Sequence, residues 1–337
     1  MRAYVMPAGC RSVDELRLVE RPDPRPGPGQ VLVDVRAVSL NRRDQAIADG
    51  TYFGGTVKTD TIPLSDCAGE VAAVGSGVTR VAAGDRVAAT FFQTPPTGPP
   101  FAPQAALASP LDGVLADRIV LYEDGVVPIP AAFSFEEAAC LPCAAVTAWN
   151  ALMCAGRPIE PGQTVLVLGS GGVSVFALQF AVAAGARVIA TSSSDAKLER
   201  LRALGASATA NYVRTPEWQK EVIKLTSGRG VDCVVEVVGA GTLERSFDAV
   251  GEFGKVCLIG VLSGRRADIN PYALMWKQAT LHGIRVGTRQ MFEQMNRALD
   301  TGPIHPVVDR VLPFADALAA YRLQASGNFV GKIVIRL

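Results

Sequence analysis

Residues 164–174 read TVLVLGSGGVS, a short apolar run followed by a glycine-rich loop. The run is typical of a buried strand, and the apolar residues from Val173 onward predict a helix directly after the loop. Gly169 permits a tight turn, and Gly171 lets the backbone approach a pyrophosphate. Gly172 and Val173 open the helix, whose first N–H groups and positive dipole end attract phosphate. We therefore predict a dinucleotide-binding loop rather than a purely structural turn.

The loop departs from the usual GxGxxG pattern at its third glycine, where this chain has Ser174. That position allows the helix to pack closely on the strand, and serine is the next smallest polar residue. The strand, the loop, the helix and the following strand all agree with nucleotide binding, so the prediction is kept.

The segments around this loop indicate an α/β fold. Apolar strands and helices alternate regularly over residues 164–259, which predicts a doubly wound parallel sheet of the Rossmann type, covered by helices on both faces. The first part of the chain instead contains glycine-bounded strands, such as residues 31–38, that suggest a small barrel or sandwich. The last residues, GKIVIRL, predict a final strand.

These patterns predict two domains, one inserted in the other. The nucleotide-binding domain is expected over residues 126–266, and a β-rich domain is expected from residues 1–125 together with 267–337. Residues 91–113 are rich in proline and lack periodicity, which predicts a surface loop.

The composition favours a small molecule over nucleic acid as the ligand. The 337 residues include 33 basic and 32 acidic side chains, so a net charge of +1 gives no electrostatic reason for binding nucleic acid or an anionic membrane. Seven scattered cysteines suit a reducing cytosol better than a disulfide framework. Because no stretch resembles a signal peptide or a membrane span, we expect a soluble, cytoplasmic protein.

The residues after the second strand of the sheet favour NADP(H) over NAD(H). An NAD site usually offers an acidic residue here to the ribose hydroxyls, whereas this chain has Ser192 and Ser193, followed by Lys197 and Arg200. Hydroxyl groups and a cation suit a 2′-phosphate, which a carboxylate would repel. Asp195 is the competing acidic residue, and we interpret it as the N-cap of a helix that begins at Ala196.

Several ordered motifs resemble those of the medium-chain dehydrogenase/reductase superfamily. They are LSDCAGEVAAVGSGV, AAGDRV, LPCAAVTAWNAL, GSGGVS, SSSDAKLERLRALGA and GKIVI. The chain is most similar to the zinc-independent, quinone oxidoreductase-like branch. The resemblance implies a chaperonin-10-like β-rich catalytic domain, an inserted Rossmann domain, a nicotinamide cofactor in the cleft between them, and a homodimer.

The catalytic zinc ligands of related alcohol dehydrogenases are mostly absent from this sequence. By the resemblance, those ligands fall on Asn41, Ser65 and Cys143. One thiolate is too few, because a catalytic zinc needs three protein ligands. The CxxC pair formed by Cys140 and Cys143 is interpreted as two buried structural cysteines. We therefore expect no metal site.

The resemblance also suggests roles for individual residues. Asn41 is expected to donate a hydrogen bond near the substrate or nicotinamide, and Tyr52 to line the pocket or donate. Asp44 is expected either to orient Arg42 or Arg43, or to be structural. The remaining expected cofactor contacts are Thr147 and Asn328 near the nicotinamide, Tyr212 near the adenosine phosphate, and the strand-end residues Gly239, Ile259, Gly260 and Val261.

The expected reaction is hydride transfer from NADPH to a quinone or an α,β-unsaturated carbonyl. A conjugated acceptor spreads the developing charge itself and so demands less of a protein that lacks a Lewis acid. Two alternatives remain open: a zinc-type alcohol dehydrogenase acting on alcohols or aldehydes, and a non-catalytic NADPH-binding protein.

Overall fold

The glycine-bounded strands of the first third of the chain pair with its last strand, so both ends of the sequence build one β-rich unit. This computed structural model describes residues 1–93, 105–264, 266 and 268–337. The β-rich unit comprises Met1–Cys143 and Thr288–Leu337, and an α/β unit comprises Ala144–Gly287.

The described residues form 17 strands and 10 α-helices. Along the chain they are β1 Arg2–Val5, β2 Arg17–Glu20, β3 Gln30–Ser39, α1 Arg42–Ala48, β4 Asp66–Val74, β5 Arg86–Ala89, β6 Phe92–Gln93, β7 Ala105–Ala106, β8 Arg118–Tyr122, β9 Val126–Pro128, α2 Phe135–Ala138, α3 Val146–Trp149, β10 Thr164–Leu168, α4 Gly172–Ala183, β11 Arg187–Ser192, α5 Asp195–Ala203, β12 Ala208–Asn211, α6 Trp218–Leu225, β13 Val231–Glu236, α7 Leu243–Ala249, β14 Val250–Leu258, α8 Tyr272–Trp276, β15 Thr280–Gly283, α9 Arg289–Thr301, β16 Val308–Pro313, α10 Ala317–Ser326 and β17 Lys332–Arg336.

The main sheet of the β-rich unit has the strand order β16-β17-β3-β4-β5-β9, with β8 also paired to β3. The long strand β3 lies antiparallel to β4, β8 and β17. Its alternating sequence buries Val31, Val33 and Val35 in a core that also holds Tyr321 of α10. Because β3 receives β17, the start of α1 lies close to the start of the final strand, and this closeness brings distant polar residues together.

The sheet of the α/β unit is entirely parallel, in the order β12-β11-β10-β13-β14-β15. The five residues of β10 are all buried, as expected for a strand covered on both faces. Strands β11 and β12 are added on one side of β10, and strands β13, β14 and β15 are added on its other side. The switch point therefore lies between β10 and β13, where doubly wound sheets bind ligands. The predicted α/β fold class is confirmed.

The domain boundaries differ from the predicted ones, and both lie later in the chain. Residues 126–143 belong to the β-rich unit because β9 pairs with β5. Residues 267–287 belong to the α/β unit because β15 extends the parallel sheet beside β14. The sequence analysis placed the first boundary near residue 126, where glycine-bounded strands give way to helical segments. The pairing of β9 with β5 instead makes β9 part of the main sheet of the β-rich unit.

The structure also differs from the sequence predictions at the start of α5 and at the two ends of the predicted surface loop. Helix α5 begins at Asp195 and its N-cap is Ser194, so Asp195 is not the N-cap that the sequence suggested. Within the predicted surface loop, residues 94–104 lie outside the described residues. The segments on either side pair as β6 and β7, and Phe91 and Leu107 are buried rather than at the surface.

Among the described residues, no helix combines the length and apolar character needed to cross a membrane.

Candidate functional site

The glycine loop after β10 leaves open space at the start of α4. Gly169 has a φ of +77°, a left-handed conformation that glycine adopts without strain. A Cβ atom added at Gly169 or at Gly171 would meet no atom within 4 Å. Gly171 is the N-cap of α4, whose first turn contains no acidic side chain. The first N–H groups of this helix have no partner within it, so the loop can receive a phosphate.

Ser174 fits the position of the third glycine because its hydroxyl is satisfied internally. Its Oγ donates to the carbonyl oxygen of Leu168 at 2.6 Å, and the side chain is buried. The loop is further tied to the neighbouring strand, because the N–H of Gly169 donates to Thr191 Oγ1 at 3.3 Å. Serine therefore allows the close helix–strand packing that the pattern requires.

The end of β11 places serines beside an acidic group that is already paired. Ser192 is buried, Ser193 is exposed, and Lys197 lies in the first turn of α5. The Asp195 carboxylate accepts hydrogen bonds from Asn211 Nδ2 at 2.8 Å and from Arg214 Nη2 at 2.6 Å. These contacts tie Asp195 to the last residue of β12 and to the turn after it instead of leaving it unpaired.

Tyr212 also follows β12, where its N–H donates to the carbonyl oxygen of Ser192 at 3.1 Å. The Tyr212 side chain is exposed, near the end of β11. Thr147 is buried in α3 of the α/β unit. Asn328 is exposed in the loop between α10 and β17 of the β-rich unit, where its N–H donates to Ser326 Oγ at 3.2 Å.

A buried carboxylate that the sequence analysis did not single out shapes the loop after β13. Glu236 is 0% exposed and accepts hydrogen bonds from the N–H groups of Val238 and Gly239 at 2.8 and 2.9 Å. The hydroxyls of Thr242 and Ser246 also donate to it, at 2.9 and 2.5 Å. An acidic residue at the end of an apolar strand was the available signal, since a buried carboxylate needs several donors.

The predicted strand-end residues come together at the carboxyl edge of this sheet. Gly239 has a φ of +90°, and a Cβ there would lie 2.8 Å from the carbonyl oxygen of Gly260. The N–H groups of Ile259 and Gly260 donate to the backbone carbonyl of Glu236 at 2.8 and 3.2 Å. Val261 follows and is exposed. The loops after β13 and β14 are thus packed directly on one another.

The β-rich unit contains a buried polar group that we call the Lys332 cluster, formed by Asn41, Ser65, Asp66 and Lys332. Lys332 Nζ donates to Asn41 Oδ1 at 2.6 Å and to the carbonyl oxygen of Leu40 at 2.7 Å, and it lies 3.9 Å from Asp66 Oδ2. Ser65 Oγ donates to Asp66 Oδ1 at 2.7 Å. The lysine is 2% exposed, so its charge is balanced by these oxygens rather than by water.

The ammonium group determines the orientation of the Asn41 amide. An ammonium only donates, so the atom that faces Lys332 Nζ is the amide oxygen. Nδ2 of Asn41 is then the end that remains as a donor, and it lies 3.5 Å from Ser65 Oγ. Sequence reasoning predicted Asn41 as a donor but missed Lys332. The signal for Lys332 was a charged residue opening an otherwise apolar final strand.

Asp44 has two partners at the beginning of α1. Its Oδ2 accepts from the Asn41 N–H at 2.6 Å, and its Oδ1 lies 3.7 Å from Arg43 Nη1. Of the alternatives left open, the structure pairs Asp44 with Arg43, whereas Arg42 is exposed. Burial raises the pKa of Asp44 to about 6, although the Arg43 charge opposes the rise. Tyr52 is half-buried, and its hydroxyl accepts from Arg43 Nε at 3.5 Å.

The cysteines of the CxxC pair have different surroundings. Cys140 is buried, its Sγ donates to the carbonyl oxygen of Glu136 at 3.2 Å, and burial raises its pKa to about 12. Cys143 is only half-buried, and its N–H donates to Asp66 Oδ2 at 3.0 Å. Burial also raises the pKa of the Cys143 thiol. In the part of the chain that the structure describes, no group of three His, Cys, Asp or Glu residues is arranged to hold a metal ion.

Comparison with family models and known proteins identifies the family. Residues 27–131 match the alcohol dehydrogenase GroES-like domain, and residues 172–301 match the zinc-binding dehydrogenase domain. The chain is 41% identical to a zinc-type alcohol dehydrogenase-like protein of Schizosaccharomyces pombe, over 99% of both chains. It is 30% identical to a quinone oxidoreductase of Pseudomonas aeruginosa, over 92% of both.

Solved structures agree with this assignment. A crystal structure of an NAD-dependent alcohol dehydrogenase has a TM-score of 0.92 and 33% identity, with 100% of both chains covered. A mycobacterial protein, Rv1454c, complexed with NADPH has a TM-score of 0.83 and 27% identity, again over 100% of both. A 2-octenoyl-CoA carboxylase reductase, CinF, complexed with NADP and 2-octenoyl-CoA has a TM-score of 0.90 and 25% identity, over 99% of this chain and 87% of that one. The chain belongs to the medium-chain dehydrogenase/reductase superfamily and is an oxidoreductase of that family.

Proposed function

We propose that this protein is an NADPH-dependent oxidoreductase that transfers hydride, without a catalytic zinc, to a quinone or an α,β-unsaturated carbonyl. One observation carries the proposal: the Lys332 ammonium lies 2.6 Å from the amide oxygen of Asn41, the residue that by the sequence resemblance corresponds to a metal ligand of zinc-dependent alcohol dehydrogenases. A protein that already holds a buried cation there can polarise a substrate through hydrogen bonds.

The open glycine loop supports the cofactor half of the proposal. Gly169, Gly171, Gly172 and Val173 would hold the pyrophosphate, because backbone approach is unobstructed and the N-terminus of α4 supplies donors. When bound, a reduced nicotinamide supplies the hydride.

The neighbourhood of β11 supports NADPH over NADH. Asp195, the acidic residue nearest to the strand end, already accepts from Arg214 and Asn211. Ser192, Ser193 and Lys197, at the end of β11 and in the first turn of α5, are hydroxyl and cationic groups of the kind that suits a 2′-phosphate. Two of the solved relatives hold NADP or NADPH, whereas the alcohol dehydrogenase is described as NAD-dependent, so the preference needs a direct test.

The donor chemistry of the Lys332 cluster does not fit a catalytic zinc. An ammonium group cannot ligate a metal, and the amide oxygen that could ligate is already bound to that ammonium. Cys143 alone would contribute a thiolate, whereas a catalytic zinc needs three protein ligands. No step of the proposed reaction therefore involves a metal.

The Asn41 amide is the donor that we propose for the substrate oxygen or the nicotinamide. Lys332 fixes the amide so that its NH₂ group, which lies 3.5 Å from Ser65 Oγ, is the donor end, and the ammonium charge strengthens that donor. A conjugated acceptor requires only such stabilisation of a developing oxyanion, because its own π system carries part of the charge.

The test combines cofactor titration with an acceptor screen. We expect tighter binding of NADPH than of NADH, a Lys197→Ala variant that loses about tenfold in NADPH affinity but little for NADH, and turnover of quinones or enones. Equal affinity for the two cofactors would contradict the NADPH assignment. Tightly bound stoichiometric zinc with turnover of simple alcohols would instead support the zinc-type alternative, and cofactor binding without any turnover would support a non-catalytic role.

We also propose that two copies associate through the outer strand of the α/β unit. Within the described residues β15 pairs with β14 alone, which leaves one edge of β15 unpaired. Large apolar side chains surround this edge: Trp276 is 80% exposed, and Phe253 and Leu281 are also exposed. Phe253 is continuous with this segment, because its N–H donates to the Lys277 carbonyl at 2.8 Å.

A second copy would cover both the open edge and the apolar side chains. We expect a dimer in sedimentation velocity for the wild type and a monomer for Leu281→Lys with Trp276→Asp. A monomeric wild type at micromolar concentration would contradict this assignment.

A further inference from the structure

Arg43 is a buried arginine whose hydrogen-bonding capacity is incompletely used. Its side chain is only 8% exposed. Nη1 donates to the carbonyl oxygen of Leu107 at 2.9 Å, and Nε donates to the Tyr52 hydroxyl at 3.5 Å. Among the described residues, Nη2 is buried without any acceptor. A buried charged donor without a partner is costly, so such a group usually has a ligand or a mechanistic role.

The nearest carboxylate does not satisfy Arg43. Asp44 Oδ1 lies 3.7 Å from Nη1, beyond hydrogen-bond distance, and among the described residues it also lacks a hydrogen-bond donor. The Leu107 carbonyl and the Asn41 N–H hold the two side chains in these separate positions. The guanidinium is therefore held in place, and among the described residues its Nη2 is left without an acceptor.

Two aromatic rings flank the guanidinium group. Its Cζ lies 4.7 Å from the centre of the Phe91 ring and 5.1 Å from that of the Tyr52 ring. Both contacts are within the range of cation–π attraction, which keeps the group charged and fixes its plane. Flat apolar surfaces beside a fixed donor favour a planar ligand that carries one oxygen acceptor.

We propose that Arg43 is a catalytic residue whose Nη2 donates a hydrogen bond to the carbonyl oxygen of a planar conjugated acceptor lying against Tyr52 and Phe91. This inference rests on the proposed function and specifies how its substrate is recognised. The arginine acts as a fixed cation and not as an acid, because a guanidinium does not give up its proton in proteins.

An enone would be reduced by hydride transfer followed by protonation. Hydride forms a C–H bond at the β-carbon, and the C=C π pair moves to form the enolate, which places a negative charge on the oxygen held by Arg43. A solvent proton then bonds to the α-carbon and the carbonyl reforms. The acceptor is reduced by two electrons, and the nicotinamide cofactor is the reductant that is oxidised.

The test uses Arg43→Gln with Arg17→Gln as the matched control, because Arg17 is an exposed arginine on β2 of the same unit. With 2-cyclohexenone and NADPH, we expect kcat/KM to fall about 100-fold or more in Arg43→Gln and to stay unchanged in Arg17→Gln. The dissociation constant of NADPH should stay unchanged in both variants.

A binding readout makes the test independent of turnover and of the variant's stability. The probe is 4-nitrophenol, a planar ring whose ionised form absorbs visible light, titrated against the wild-type protein without cofactor. We expect the bound phenol to have a pKa below its free value, and we expect Arg43→Gln to lose that shift. Failure of the wild type to bind the phenolate overturns the assignment even if Arg43→Gln does not fold.

The two hypotheses fail in different ways. Wild-type kcat/KM in Arg43→Gln overturns the role of Arg43 while the proposed function stands. A wild type that turns over no conjugated acceptor overturns the proposed function, and the phenolate titration then still decides whether Arg43 binds an oxyanion.

Discussion

The glycine loop of the α/β unit and the Lys332 cluster of the β-rich unit both offer positive electrostatic character, but they are built differently. The loop is one continuous segment, residues 169–174, and its donors are backbone N–H groups at an open helix end. The cluster joins residues near positions 41, 66 and 332, and its charge is a buried ammonium. A binding site made of backbone N–H groups can be formed by consecutive residues. A site made of side chains from distant segments depends on which strands pair.

The two regions also differ in how much they should contribute to stability. The loop has unused donors and open space, so its loss should weaken ligand binding more than folding. The ammonium of the cluster donates to two buried oxygens and lies near the buried Asp66 carboxylate, so its loss should weaken folding first. Substitutions at Lys332 and Gly171 test this difference directly, and one at Asp44, which accepts from the Asn41 N–H beside the cluster, tests how burial acts on a neighbouring carboxyl group.

Replacing Lys332 by methionine should have the largest effect. Asn41 Oδ1 and Asp66 would be left buried without their cation, so we expect the free energy of unfolding to fall by about 3–5 kcal/mol. Urea denaturation measures this change. Lys58→Met, at an exposed position of the same unit, should stay within about 0.5 kcal/mol of wild type. A similarly small change in Lys332→Met would show that the ammonium does not hold the cluster together.

The Asp44→Asn variant should change how stability depends on pH. Burial raises the folded-state pKa of Asp44 to about 6, above its usual value near 4, while Arg43, Lys332 and Asp66 are the charged groups that act on it. The stability that the protonated form contributes is therefore complete below about pH 4 and is lost as the pH rises through about 6, a change of about 3 kcal/mol.

The asparagine variant should lack that change, whereas Asp300→Asn, at an exposed position of α9, should keep it. Stability curves against pH for the wild type and both variants measure the difference. Parallel curves for the wild type and Asp44→Asn would contradict a raised pKa at this position.

Replacing Gly171 by aspartate should affect binding and not folding. Its φ of −78° suits any residue, a Cβ meets no atom within 4 Å, and aspartate is a favourable N-cap. The carboxylate would repel a phosphate at the same helix end, so we expect the dissociation constant of NADPH to rise at least about 30-fold, or about 2 kcal/mol, at unchanged stability.

Calorimetric titration with NADPH measures this effect. Ser134→Asp makes the matching N-cap change at α2 and should leave the affinity unchanged. Retained NADPH affinity in Gly171→Asp would place the phosphate elsewhere.

Much of the fold was predictable because buried strands, glycine-rich turns and the helices between them leave local patterns in the sequence. The strand TVLVL, the glycine loop and the alternation that follows indicated a parallel sheet, and β10 and α4 lie within a residue or so of the predicted bounds. The boundaries near residues 126 and 266 were not predictable in this way, because membership of a unit depends on strand pairing. β9 and β15 each join a sheet through hydrogen bonds to a partner strand that no local pattern identifies.

The residues of the candidate site likewise fall into those that local sequence predicted and those that it did not. Gly169, Gly171 and the serines at the end of β11 could be predicted as cofactor contacts because the prediction uses only neighbouring residues. Glu236, Lys332 and the spare nitrogen of Arg43 were missed. The Asn41 oxygen that faces Lys332 and the Phe91 ring beside Arg43 come from distant parts of the chain. The donors to Glu236 lie within ten residues of it, but they meet its carboxylate only when the loop after β13 folds back.

The sequence by itself determined the alternating α/β pattern, the glycine loop and the run of serines at the end of β11, because these are properties of consecutive residues and their backbone. Only the tertiary structure decided that a lysine from the last strand would orient Asn41 and that Arg43 would lie buried between two rings. Burial changes the energy of a charge by several kcal/mol, and burial is set by which distant segments meet.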